Sequence, residues 1–132
     1  MKSRDSMMQL LRFKTEEKRK KVADLETMIR DFENMAVDLN RHIEAEHDRT
    51  GVRDFNHFAY STFAKSAAQR RANLLATVED LKLRLGLARG ELEAALDAST
   101  KAEAVEDREL ARRHTERLEL TPAQASRALG RP

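Results

Sequence analysis

Cysteine is absent from the 132 residues, so no disulfide framework, thiolate metal site or cysteine nucleophile is available. That absence suits a reducing compartment. Proline occurs only at positions 122 and 132, which leaves nothing that rigidly forbids helix over the first 121 residues. Glycine occurs four times and aromatics make up 5% of the chain, a composition that speaks against an ordinary globular core. No apolar run approaches the roughly 20 residues of a membrane span. The opening stretch MKSRDSMMQLLRFK is charged every few residues, where a signal peptide needs a continuous apolar core. The expectation is a soluble, cytoplasmic protein.

What is present is charge and helix-forming side chains. Charged residues make up 36% and apolar residues 40%, enough to exclude a disordered polyelectrolyte if the apolar residues share one stripe. They do. Val22, Leu25, Ile29, Phe32, Ala36, Leu39 and Ile43 follow one another at alternating spacings of three and four, the seam of a coiled coil. Traced backwards, the same register passes Lys18 and Thr15, two polar positions, and resumes at Leu11 and Met8. A second seam runs Leu74, Val78, Leu81, Leu85, Ala88 and Leu92. It extends backwards through Arg71, Ala67 and Ala64, and more weakly forwards through Ala95, Ser99 and Ala102. Gly86 and Gly90 lie inside this segment and cost about 1 kcal/mol each relative to alanine.

Between the seams the pattern breaks. Thr50-Gly51 offers a helix C-terminus, Asp54 and Asn56 supply turn chemistry, and Ser61 or Thr62 supplies a cap for a second helix. Beyond Val105 the second seam fades, and Thr121-Pro122 reads as a fresh start signal for a short last helix that Gly130 would end. The expected class is therefore all-α, with two long helices in an antiparallel coiled-coil hairpin and a possible short C-terminal helix. Its hairpin domain covers 1–117, with helix 1 over about 5–49, a turn over 50–60 and helix 2 over about 61–117. A tail over 118–132 follows.

Charge sets the direction of pairing. Basic and acidic residues number eight and three over 1–21, two and eight over 22–48, eight and three over 49–90, and two and seven over 91–109. Folding near residues 53–54 lays each block along its opposite, and parallel pairing sets like against like. Single flanking pairs contribute only about 0.2–0.5 kcal/mol, yet matched blocks select orientation. The register expected from this fold pairs Ile43 with Ala64, Ile29 with Val78 and Val22 with Leu85, to within one heptad.

Catalytic chemistry finds no foothold. Glu44 and His47 have the E-x-x-H spacing of di-iron bundles, but such sites need a second E-x-x-H and two further glutamates. Asp54 with His57 is the nearest imitation, so His47 reads as a residue of a solvated face, as do His42 and His114. No nucleophile elbow, glycine-rich phosphate loop or paired carboxylates in a pocket are present. The expectation is no enzyme, no metal, no cofactor and no small-molecule substrate.

Three regions invite partners. Glu17-Lys18-Arg19-Lys20-Lys21 is the densest basic run, and nucleic acid or an anionic membrane could bind there. Glu91, Glu93 and Asp97 on the facing helix would neutralise part of it, and no aromatic is interleaved for base stacking. A solvated or protein-docking role is favoured. Phe55, Phe58, Tyr60 and Phe63 cluster at the turn, and a small core sealing the hairpin end is favoured over exposed anchors for most of them. Met7, Met8, Leu10 and Leu11 exceed what one seam buries, which fits a partner surface.

The opening MKSRDS, the stretch LLRFKTEEKRKKVADLE and the post-turn segment HFAYSTFAKSAAQRRANLLATVEDLK together resemble the FliJ family, a coiled-coil component of the bacterial flagellar type III export apparatus. The resemblance covers roughly residues 1–100, not the tail. It implies a two-helix antiparallel coiled coil similar to the stalk subunit of rotary ATPases, without catalytic activity. Its open end would sit in the hexameric export ATPase ring, its body or tip would face the export gate and exchange export chaperones, and it would meet the cell membrane only through those partners. On that reading Met8, Leu11, Arg12, Phe13, Lys14, Lys18 and Arg19 are the expected ring contacts. Phe55, Phe58 and Tyr60 are the expected gate-side contacts. Two other readings stay open: a basic coiled coil that binds nucleic acid or anionic lipid, and a self-associating coiled coil that forms a four-helix dimer.

Overall fold

The computed structural model describes the backbone of residues 2–129 and the side chains of residues 3–119. Two helices make up the fold, α1 (Lys2–Thr50) and α2 (Thr62–Leu129), and they pack as the antiparallel coiled-coil hairpin that the seams and charge blocks predict. No helix among the described residues is long and apolar enough to cross a membrane. The chain divides into two compact units: a turn unit of residues 17–92, and a terminal unit of 1–16 with 93–132.

In the turn unit the seam residues are buried in two clusters. Val22, Leu25 and Ile29 of α1 meet Val78, Leu81, Leu85 and Ala88 of α2, with Phe32 and Leu92 packed alongside. Nearer the turn, Leu39 and Ile43 meet Ala64 and Ala67, flanked by Tyr60, Ala68 and Leu74. Large residues on α1 face alanines there, so the helices approach closely where they leave the turn. Three-four spacing puts these side chains on one stripe, and burying that stripe is the main stabilising term for helices otherwise solvated.

The register differs from the expected one by about one helical turn. Arg71 hydrogen-bonds the Asn40 side chain, where folding at 53–54 would have placed residues 66–67 opposite Asn40. Helix persists to Thr50 and restarts only at Thr62, so the chain reverses nearer residue 56. The intervening turn is built bond by bond, which is what fixes its length.

Gly51 ends α1 in the left-handed conformation, φ 74°, with its N–H donating to the His47 carbonyl at 2.8 Å. The Thr50 hydroxyl takes the Val52 N–H, at 3.2 Å. Asp54 accepts the Asn56 N–H on its side chain and the His57 N–H on its carbonyl, each at 3.0 Å. His57 repeats the device, taking the Ala59 N–H on Nδ1 and the Tyr60 N–H on its carbonyl. Of the two expected caps Ser61 acts: its hydroxyl accepts the Ala64 N–H at 3.2 Å.

In the terminal unit Met8 and Thr15 are buried, and Leu11, Ala95, Ser99 and Ala102 are half-buried. Thr15 bonds back to the Leu11 carbonyl at 2.9 Å, and its hydroxyl lies 3.4 Å from that of Ser99. The polar interruption of one seam thus meets that of the other. Beyond Ala102 the apolar seam fades as expected, and charged residues carry on its phase. Glu106, Glu109 and Arg113 occupy its positions and are half-buried, and Val105 is exposed. The Arg112 guanidinium, then the charges of Arg113 and of Arg4 on α1, hold the Glu109 carboxyl below its ordinary range.

The tail departs from expectation. α2 runs on to Leu129 with no interruption at Thr121-Pro122, so 118–132 holds no separate short helix. The expected stop at Gly130 and the apolar surface of the tail lie outside the described residues. At the other terminus α1 begins at Lys2, three residues earlier than expected.

Candidate partner-binding surfaces

The turn presents aromatic side chains because its backbone is already satisfied internally. Tyr60 is the one ring drawn inward. Its hydroxyl hydrogen-bonds His47 Nε2 at 2.8 Å, and the two rings meet edge-on with centroids 5.5 Å apart. His47 is therefore not a residue of a solvated face: its side chain is only 12% exposed, held between Tyr60 and Glu44. No group of three or more His, Cys, Asp or Glu side chains able to hold a metal comes together among the described residues, and Glu44 and His47 have no further ligand beside them.

The sealing mini-core expected from the four turn aromatics does not form. Phe55 and Phe63 are exposed, and Phe58 is 97% exposed. α1 reaches Thr50 and the seam begins with Ala64, so Phe55 and Phe58, on the loop between them, lie outside the interhelical space, and Phe63, in α2, precedes the buried Ala64 by one position and is left exposed. Phe58 stacks on its neighbour His57, centroids 4.7 Å apart. Phe55 rests against Tyr60, and the Lys65 ammonium lies 5.1 Å from the Phe55 ring centre. Phe55 and Phe58 are thus presented to solvent on the turn, Phe55 against Tyr60 and Phe58 on His57.

Around them the charges are clamped. Arg53 reaches back to Glu44 at 3.0 Å and to Asp48. Glu46 is bonded by Arg49 of its own helix and by the Ser61 hydroxyl, at 2.8 Å. These donors, Arg49 first and Ser61 second, bring its carboxyl down from 4.5 to about 2.

The N-terminal surface sorts the expected ring contacts into two groups. Met8 is buried at 6% exposure and Leu11 is half-buried, so both belong to the seam. Arg12, Phe13 and Lys14 are exposed, and with them Met7 and Leu10, which the heptad leaves on the outer side. Periodicity contained this distinction: Met8, Leu11 and Thr15 share the seam phase, which Met7, Leu10 and Phe13 lack. In the turn unit Lys18 sits at a half-buried seam position and pairs with Glu91 at 3.1 Å, and Lys21 approaches the same carboxylate at 3.7 Å. Those two lysines hold the Glu91 carboxyl below its ordinary range. Arg19 is exposed beside them. The basic run is thus partly spent on the facing helix, as the sequence suggests.

A further surface escaped sequence reasoning. Met35, Leu39, His42, Phe63, Ala67 and Leu74 line an open groove of about 670 Å³ on one side of the turn unit. Its signal was present in the seven-residue recurrence of Met28, Met35 and His42, each one position before a seam residue. Compared with family models, with characterised proteins and with solved structures, the chain matches none.

Proposed function

We propose that this protein is a non-enzymatic component of a flagellar export apparatus, working as an adaptor between the export ATPase ring on one side and the export gate and its chaperones on the other. The reading rests on the family resemblance of residues 1–100 and on one structural observation. The outer side of α1 in the terminal unit carries Met7, Leu10 and Phe13 one turn apart, all exposed, with Arg12 and Lys14 among them. Apolar side chains beside cations, on a helix whose seam is already filled, suit docking into a protein surface better than remaining in water.

The ring contacts are accordingly Arg12, Phe13 and Lys14, joined by Met7 and Leu10. Met8 and Leu11 act from behind by holding the helix in place. On the gate side Phe55 and Phe58 make contact, and Tyr60 positions Phe55. Binding to two machines requires no catalytic group in the chain itself; it requires rigid helices and differentiated surfaces.

The test is co-elution of the chain with a hexameric flagellar export ATPase in size-exclusion chromatography. The native chain is expected to co-elute, and a variant combining Arg12→Glu with Phe13→Asp to elute alone. Phe55→Ala with Phe58→Ala should leave ring binding intact and lose the gate's cytoplasmic domain. No co-elution of the native chain with the ATPase would end this reading.

A further inference from the structure

The two flanks of the turn unit's seam are built differently. On one flank the helices are bridged: Glu26 reaches Arg89 at 3.8 Å, Asn40 accepts a hydrogen bond from Arg71, and His47 bonds Tyr60 at 2.8 Å. On the other flank, Met28, Met35 and His42 of α1 and Phe63, Arg70 and Thr77 of α2 each sit one position before a seam residue. No hydrogen bond or ion pair joins those six across the helices among the described residues. This flank opens into the groove of about 670 Å³. Along it Met28, Met35 and Phe63 stand 43%, 49% and 57% exposed, well above what an apolar side chain in a closed seam retains.

The two edges of that flank differ in charge. On α1, Asp24, Asp31 and Asp38 recur every seven residues, and all are exposed. Asp38 is engaged by Arg41 of its own helix at 3.4 Å, whereas Asp24 and Asp31 have no ion-pair partner among the described residues. On α2 the matching edge holds Ser66, Asn73 and Asp80, and Arg84 already neutralises Asp80 at 3.1 Å. Arg70 lines the groove from the α2 side. A third helix laid here meets uncompensated negative charge along α1, and a cation on its α2 side would face Arg70. Asp24 and Asp38 are about 21 Å apart along the helix, a span that three heptad-spaced side chains of a parallel or antiparallel neighbour can follow.

We infer that this flank takes an amphipathic helix of another protein, its apolar stripe over Met28, Met35 and Phe63 and a row of Lys or Arg, seven residues apart, over Asp24, Asp31 and Asp38. The docked helix completes a three-helix bundle on the side that the hairpin leaves unbridged. Apolar burial holds it, and the carboxylate row sets how it is rolled in the groove and rejects acidic helices. The surface is separate from the aromatic turn and from the outer side of Met7, Leu10 and Phe13. It stands whether or not the partners are those of an export apparatus.

The probe is a fluorescein-labelled synthetic helix of about three heptads, with leucine at the seam positions, lysine at one flanking position and alanine or glutamine elsewhere. A counterpart carries glutamate in place of lysine. Anisotropy titration with the full chain is expected to show the lysine helix bound with a Kd below about 100 µM and the glutamate helix at least tenfold weaker. Asp24→Lys with Asp31→Lys should reverse that preference. Both positions are exposed and neither loses an ion pair, and circular dichroism confirms equal helicity. With the methionine methyls labelled, the lysine helix should shift the NMR signals of Met28 and Met35 and leave those of Met7 and Met8 unmoved. Failure of the lysine helix to bind overturns the inference, as does a preference that the double substitution leaves unchanged or a shift confined to Met7 and Met8. So does a native chain that sediments as a dimer and is made monomeric by Met35→Asp, since a second copy would then occupy the groove.

Discussion

The Ser61 hydroxyl joins the two helices at the turn: it accepts the Ala64 N–H that begins α2 and donates to the Glu46 carboxylate of α1, 2.8 Å away. One small side chain thereby caps a helix and anchors it to its neighbour. Arg49 completes the site, its guanidinium donating to both oxygens of the Glu46 carboxylate.

Acid should loosen this junction first. Glu46 titrates at about 2 in the folded protein and near 4.5 when free, so the unfolded chain takes up the proton at higher pH. The stabilisation is complete above about 4.5, falls as pH drops from there, and is gone below about 2. Thermal unfolding followed by circular dichroism should show Glu46→Gln costing stability at pH 7 and almost nothing at pH 2. Ser61→Ala should cost about 1 kcal/mol at neutral pH through the lost cap.

The glycines divide by backbone conformation. Gly51 has φ 74°, where a Cβ clashes with the following carbonyl, so Gly51→Ala should destabilise by about 1–2 kcal/mol. A Cβ at Gly86 or Gly90 meets nothing within 4 Å and the backbone there is ordinary helix, so alanine at each should stabilise by about 0.8–1 kcal/mol. Denaturant titration of the three variants measures both signs. Destabilisation by Gly86→Ala would mean that the open space beside Gly86 is occupied in solution.

Seam and outer leucines should differ sharply. Leu81→Ala removes a side chain buried at 4% exposure and should cost about 2–3 kcal/mol, at the low end for leucine because a narrow seam collapses readily. Leu83→Ala, two residues away but 72% exposed, should change stability by less than about 0.5 kcal/mol. Equal effects would show that the outer face of α2 is covered in solution.

The polar layer of Thr15 and Ser99 should behave as a pair. Thr15→Val alone leaves the Ser99 hydroxyl half-buried without its 3.4 Å neighbour, so its benefit should be small. Adding Ser99→Ala removes that orphan, and the double variant should be more stable than the sum of the single changes. A double-mutant cycle in thermal unfolding gives the coupling directly.

At the turn, Tyr60→Phe removes the hydroxyl bonded to His47 and should cost about 1 kcal/mol. Phe58→Ser, at a site with almost no buried surface, should leave the unfolding temperature unchanged while weakening capture of the gate-side partner. Loss of stability in Phe58→Ser would place that ring in a core it does not occupy here.

The sequence alone was sufficient for the two long helices, the seams and their antiparallel sense, though not for the continuation of α2 past residue 117. A spacing of three and four defines one stripe whatever lies around it, and blocks of charge reject the wrong direction over many residues at once. Even the polar seam positions Thr15, Lys18, Arg71 and Ser99 could be named, because phase survives a change of residue type. Register was another matter: it depended on where the turn's hydrogen bonds let α1 stop and α2 begin, and Gly51, Asp54, His57 and Ser61 settle that only when folded together. The turn aromatics were misjudged for the same reason, since an apolar residue is buried only if the backbone carries it to the interior, and this loop carries Phe55 and Phe58 away. His47 went the other way, drawn in by Tyr60, thirteen residues on and invisible to helical periodicity. Composition and spacing state what each helix can bury; tertiary packing alone decides which flanking residues gain a neighbour and which are left to meet another molecule.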